Sequence, residues 1–257
     1  MKFLKISYLL FFCLALEAVI VDTGHANVSL VKFESLEGNR SKTLLGIKMD
    51  MQENWHTYWK NPGDSGGPIK VKWSHDNNIS ISKIYWPTPT LIPYEPLMTY
   101  GYKNFVIFPF EITNSNNKNS YIEANIDFLI CDDICVPEKA LIKTNLDEIK
   151  SDPSLNDWFL KVPDQILPVK ASVDSEYINI RFSSPFDVSS AIFFVDEQDI
   201  VEHAENQKLS KEENNYLLSI KKVDYLESFE NLSGVLSINN NESFIICLLY
   251  TSDAADD

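Results

Sequence analysis

Positive charge is scarce in this sequence. Its 22 lysines and arginines stand against 37 aspartates and glutamates, a formal net charge of −15 over 257 residues. Nothing supplies a basic phosphate-binding face, which argues against a nucleic-acid partner. Cysteine and histidine are also rare, at four each, so there is little from which to build a metal site. Beyond Ala26 no apolar run approaches the roughly 18 residues that cross a bilayer. With 44% hydrophobic, 12% aromatic and 23% charged residues, the composition excludes a disordered tail, a collagen-like repeat and a coiled coil. The acidic total bears on solubility and names no function.

Both ends read as additions to the fold. Lys2 and Lys5 precede an apolar stretch from Ile6 to Val21, and Gly24-His25-Ala26 then offers small residues at −3 and −1 of a signal-peptidase site. Residues 1–26 are therefore expected to be an export leader, with a single membrane anchor as the alternative; Glu17, inside the apolar stretch, is out of character for either. At the other end, Cys247 to Asp257 resembles the translated end of a sequencing adapter. The reading takes 247–257 as a non-native tail and expects the native chain to continue past Ile246.

Between those ends, period-2 alternation dominates. Leu45, Ile47, Met49 and Met51 alternate with polar or small residues, as do Ile69, Val71 and Trp73, and Ile122, Ala124, Ile126, Phe128 and Ile130. Each run predicts a half-buried strand. Asn61 to Pro68, Pro87-Thr88-Pro89 and Asn114 to Asn119 supply the turns. One short helix is expected, with Asp152 as N-cap, Pro153 in its first position and Pro163 beyond it. A second block repeats the alternation at Tyr177–Phe182, Ala191–Val195, Tyr216–Ile220 and Val235–Ile238. The chain thus reads as all-β: one antiparallel β-sandwich over 27–150, a short helical linker over 151–165 and a second sandwich over 166–246.

Three motifs offer chemistry. Gly63-Asp64-Ser65-Gly66-Gly67-Pro68 looks like a serine-protease nucleophile loop, but the mature chain has only His56 upstream of Ser65, and no barrel between them to build a triad. It reads better as a multi-glycine turn. His56, His75 and His203 could join the cysteines at a metal, yet structural zinc wants two closely spaced ligand pairs and only one exists; a cuprous ion, which accepts fewer ligands, stays open. No metal ligand set and no cofactor is assigned.

The informative motif is Cys131-Asp132-Asp133-Ile134-Cys135, since Cys13 leaves with the leader and Cys247 lies in the tail. An extended strand would hold these α-carbons roughly 13 Å apart, whereas a disulfide needs about 4.4–6.8 Å. A bonded pair therefore requires a sharp turn after the Tyr121–Ile130 strand. As a staple it would be weak, closing about five residues for roughly 2 kcal/mol, and short labile pairs are the redox-active ones. A redox pair and a plain staple both stay open on this ground. Asp132 and Asp133 disfavour a thiolate, so the pair reads as one attacked by a dedicated partner.

Taken together, Trp55-His56-Thr57-Tyr58-Trp59-Lys60-Asn61-Pro62-Gly63-Asp64-Ser65-Gly66, Tyr85-Trp86-Pro87, Tyr100-Gly101-Tyr102 and Cys131 to Glu138 resemble the periplasmic N-terminal region of DsbD-type thiol:disulfide interchange proteins, most closely the ScsB-like branch. The resemblance implies two tandem immunoglobulin-like sandwiches, the first carrying a redox pair. It implies electrons arriving from membrane-embedded and thioredoxin-like domains of the same protein and leaving to periplasmic disulfide-bearing proteins. Cys135 would form the mixed disulfide and Cys131 would resolve it. A cap loop at Met98, Thr99, Tyr100, Gly101 and Tyr102 would shield the pair. The three-residue spacing is shorter than the five of the best-studied form, and the shielding aromatic falls at Thr99, so Met98, Tyr100 or Tyr102 would have to serve. A self-standing isomerase, a copper-handling protein and an immunoglobulin-like module with an inert staple are the rivals.

Overall fold

The computed structural model describes residues 19–33, 42–115, 119–213, 215–228 and 231–249. Most of the expected leader and tail lie outside these residues. The first half contains β1 (Ile20–Asp22), β2 (Ala26–Lys32), β3 (Lys42–Met51), β4 (His56–Gly63), β5 (Lys70–His75), β6 (Ile79–Ile81), β7 (Thr90–Tyr94), β8 (Leu97–Lys103), β9 (Phe105–Asn114), β10 (Tyr121–Cys131) and β11 (Cys135–Asn145). A 3-10 turn, Pro153–Leu155, runs into the single helical turn α1 (Asn156–Phe159). There follow β12 (Val169–Val173), β13 (Tyr177–Phe182), β14 (Ala191–Val195), β15 (Lys208–Glu212), β16 (Asn215–Lys221), β17 (Asn231–Ile238) and β18 (Glu242–Leu249).

The fold is nearly all β and its strands pair antiparallel. Two sheets occupy the first half, one ordered β1-β2-β3-β9-β6 and the other β11-β10-β4-β8-β7, with β5 also on β10. Two smaller sheets, β12-β13-β16-β15 and β14-β17-β18, make the second. Alternation is the reason: in β10, Ile122, Ala124, Ile126, Phe128 and Ile130 are all buried while the residues between them face outward. The 3-10 turn forms where Asp152 caps it, its carboxylate accepting from the Ser154 amide at 3.1 Å, and α1 continues directly from that turn with no side-chain cap of its own.

The core is likewise divided. One cluster gathers Val28, Ile47, Trp59, Phe108 and Ile126, and a second gathers Ile178, Phe193, Leu218 and Leu236. Phe194 and Val235 belong to the first cluster although they come from the second half, so the halves meet through apolar contact. Asn61 strengthens that meeting by donating to the carbonyls of Val195 (2.9 Å) and Glu197 (3.0 Å), and Lys60 pairs with Asp196 at 2.7 Å.

Two chain-end details differ from expectation in what they contribute. Residues 20–22, inside the expected leader, form β1 and pair with Asn27–Ser29 of β2. Cys247 and Leu248, inside the expected tail, continue β18 opposite Ser233 and Leu232.

Candidate redox site

β10 and β11 form a long hairpin in unbroken register, from Tyr121 opposite Asn145 to Cys131 opposite Cys135. The sharp turn required by the sequence is the three-residue loop 132–134, closed by the Asp132 amide donating to the Ile134 carbonyl at 3.1 Å. The cysteines are a cross-strand pair with α-carbons 4.2 Å apart, joined as a disulfide. Ten further residue pairs already hold these two strands in register, so the bond adds little restraint to the fold.

The two sulfurs differ in environment. Cys135 is exposed, while Cys131 is 2% exposed. Cys131 sits on the outward parity of β10, and it is buried because β4 runs alongside with His56 opposite it. Two residues along β4, on the same face, the Tyr58 hydroxyl donates to the Cys131 sulfur at 2.6 Å and lies 3.3 Å from that of Cys135. Burial pushes the Tyr58 hydroxyl up to about 12, so it stays protonated and remains a donor at neutral pH. Burial also holds the His56 imidazole below its ordinary value, with Lys103 adding to the effect and Asp132 opposing it.

The multi-glycine turn is what keeps Tyr58 in place. Gly66 has φ +92°, and a β-carbon there would lie 2.1 Å from the Tyr58 ring. Only glycine can lay the turn across that ring. The same turn straps down β8: the Asp64 amide donates to the Met98 carbonyl (3.0 Å), the Asp64 carboxylate accepts from the Met98 amide (2.8 Å), and the Ser65 and Thr99 hydroxyls meet at 3.1 Å. Ser65 and Asp64 thus serve the architecture of this turn.

The residues expected to cap the pair divide by position. Met98 to Tyr102 lie on β8, beside β4, with Tyr58 opposite Gly101. Tyr100 is buried against Trp59, Phe194 and His203, at ring separations of 6.4, 5.0 and 4.9 Å. Tyr102 is buried too, its hydroxyl donating to the Pro87 carbonyl at 2.7 Å. Neither aromatic meets the sulfurs. The ring at the loop is instead Tyr94, half exposed at the tip of the β7–β8 hairpin, whose hydroxyl lies 3.4 Å from the Asp133 carbonyl. Asp132 and Asp133 occupy the loop between the cysteines, the second of them exposed.

Tyr58 and Tyr94 were not singled out from the sequence. The signal for Tyr58 was present in its strand-period relation to His56 and in the glycines that follow; for Tyr94 there was none, since it depends on which hairpin reaches the loop. The three candidate metal-binding histidines are dispersed: His56 opposite Cys131, His75 beside the Asp76 carbonyl, and His203 against Tyr100. Among the described residues no group of three or more His, Cys, Asp or Glu is placed to hold a metal.

The two-sheet β domain that carries this cross-strand disulfide is similar to known proteins. Residues 27–146 match the family of the thiol:disulfide interchange protein DsbD, N-terminal. The whole fold has a counterpart too, in the crystal structure of the N-terminal periplasmic domain of ScsB from Proteus mirabilis. That structure covers 90% of this chain and 96% of its own, with TM-score 0.68 and 17% sequence identity. No curated protein sequence matches significantly. The DsbD N-terminal match and a cysteine pair at bonding distance are consistent with a redox-active disulfide relay domain. Among the described residues no helix is long and apolar enough to cross a membrane.

Proposed function

We propose that the chain is a periplasmic electron-relay domain of a protein-disulfide reductase of the DsbD type, working through Cys131 and Cys135. The observation that carries this reading is the asymmetry of a bond the hairpin does not need: an exposed Cys135 and a Cys131 buried under the Tyr58 hydroxyl. In the reduced pair, the Cys135 thiolate attacks a sulfur of the partner's disulfide. A mixed disulfide forms and one partner thiolate leaves. The Cys131 thiolate then attacks the Cys135 sulfur, restoring the Cys131–Cys135 bond and releasing the partner's second thiolate. Two electrons pass to the partner, whose thiolates take up protons at neutral pH. A thioredoxin-like dithiol recharges the pair by the reverse exchange.

The remaining parts take roles around that chemistry. Tyr58 donates to whichever sulfur carries negative charge, while Asp132 and Asp133 raise the cost of a standing thiolate and so restrict the pair to docked partners. The β7–β8 hairpin shields the loop through Tyr94 at its tip, while Met98 to Tyr102 form the strand that holds this tip beside β4. We place the domain boundary in the 151–165 linker, supported by the two separate core clusters on either side. The second domain braces the first through Asn61, Trp59 and Tyr100. Residues 1–26 include the export leader, and the electron source is a membrane-embedded and a thioredoxin-like domain of the same protein.

A redox titration of the exported chain, read by alkylation and mass spectrometry, tests the relay. A midpoint above about −300 mV with both thiols reachable when folded is expected. A lower midpoint, or a pair that alkylation cannot reach, favours the inert staple and removes the function while leaving the fold.

A further inference from the structure

The carboxylate of Glu138 is buried, at 7% exposure, on the inward register of β11 between Val136 and Ala140. A charged group there needs partners. All of its side-chain partners among the described residues come from one segment: the Thr23 hydroxyl, the His25 amide at 3.2 Å and His25 Nδ1 at 2.5 Å. That segment is firmly seated. β1 is paired with β2 from Ile20 to Asp22. The Asp22 carboxylate caps the Gly24 amide at 2.9 Å, the His25 ring stacks on Trp55 at 3.8 Å, and Gln52 binds the Gly24 and His25 carbonyls at 2.7 and 2.9 Å. A cut after Ala26 removes all of these and strands a buried carboxylate three residues from Cys135.

We propose that the leader is cleaved upstream of Val19, best after Ala15, so that β1 and the Thr23–His25 clamp on Glu138 belong to the mature protein. The sequence accommodates this. Ile6 to Leu14 makes an apolar core of ordinary leader length after Lys2 and Lys5, and Cys13 and Ala15 place small residues at −3 and −1. Glu17, anomalous inside an apolar stretch ending at Val21, then falls in the mature chain. The enzyme acting here is a leader peptidase that reads small side chains at −3 and −1. The proposal rests on the export reading above, and its test separates the two.

The full chain, produced with its own leader in a Gram-negative host and recovered from the periplasm, is to be read by N-terminal sequencing and intact mass. A first residue from Leu16 to Val19 is expected. A chain beginning at Asn27 overturns the proposal and leaves export intact, whereas an unprocessed chain beginning at Met1 overturns both. Glu138→Gln in the exported protein is an independent readout. With the clamp present it loses charge-assisted hydrogen bonds and lowers the melting temperature. A rise, expected for relief of an unpartnered buried charge, or no change, overturns the clamp.

Discussion

Tyr58 and Trp59 are neighbours on β4, yet they serve regions that could hardly differ more. Tyr58, buried beneath the glycine turn, points to the mouth of the β10–β11 hairpin, where Cys135, Asp133 and Ile134 are all exposed and its hydroxyl touches the sulfurs. Trp59 faces the other way, fully buried against Tyr100 and Phe194 where the two halves meet. The junction is rich in apolar area and carries none of the proposed chemistry; the mouth carries the chemistry and has little area to stabilise it. The difference shows how a reactive site is kept open. Its geometry is borrowed from a strand anchored on its far face, and the disulfide itself is left free to break.

If that division holds, substitutions on the two sides have opposite profiles. Cys135→Ser should abolish exchange with a thioredoxin-like disulfide substrate, followed by substrate thiol release. It should cost at most about 2 kcal/mol of stability, the loop entropy of a five-residue closure. A protein that unfolds instead breaks the comparison, because the bond would then be structural. Trp59→Ala at the junction should cost about 3–5 kcal/mol in denaturant unfolding, as large-to-small changes of a buried tryptophan do, while the surviving folded fraction still exchanges. Tyr58→Phe should keep most of the stability and remove the donor to the sulfurs. A hydrogen bond to a charged group contributes about 1.5–3 kcal/mol, equivalent to roughly 1–2 pKa units. The Cys131 thiol should therefore rise by about that much, measured by the pH dependence of alkylation in the reduced protein. An unchanged thiol means the contact matters only in the oxidised pair.

Much of this was legible in the sequence for a definite reason. Strands whose one face is buried carry a period of two, and the runs at Leu45, Ile122, Tyr177 and Val235 all became strands because burial on one face enforces the pattern. The turn at the cysteines was also forced, since no extended chain can bond residues four apart. What could not be read was which elements converge on the pair. Tyr100 looked like a shield from its place in a motif, but side-chain direction on β8 depends on the pairing with β4 and on Phe194, more than ninety residues away in sequence. Tyr94 reaches the loop only through the reach of its hairpin. Gly66 could be read as a turn glycine, but not as the residue that must leave room for a tyrosine ring. The role of residues 20–25 was hidden for a similar reason: their value lies in Glu138, which the leader pattern does not mention.

The smallest predicted effect compares the same side chain in both regions. His56 lies at the mouth opposite Cys131, and His203 lies at the junction edge-on to Tyr100. Burial lowers both imidazoles from 6.5; Lys103 deepens the effect at His56 and Asp132 opposes it, while Asp64 and Asp199 oppose it at His203. The unfolded chain therefore binds more protons than the folded one below about pH 6.5. Stability contributed by the neutral imidazoles is present above that pH and is lost as pH falls toward the depressed folded-state values. The surface carboxylates with lowered values, such as Asp127 and Asp187, act in a more acidic window, so the two contributions separate. Melting temperature should decline from pH 7 to 5, and His203→Gln should remove part of that decline without touching the exchange rate. His56→Gln should remove another part and also alter the rate, because its ring stands against Tyr58 at 5.4 Å. Asp132→Asn sharpens the contrast further: it withdraws the one charge that favours His56 protonation, so the mouth histidine should become harder to protonate while the junction histidine stays as it was.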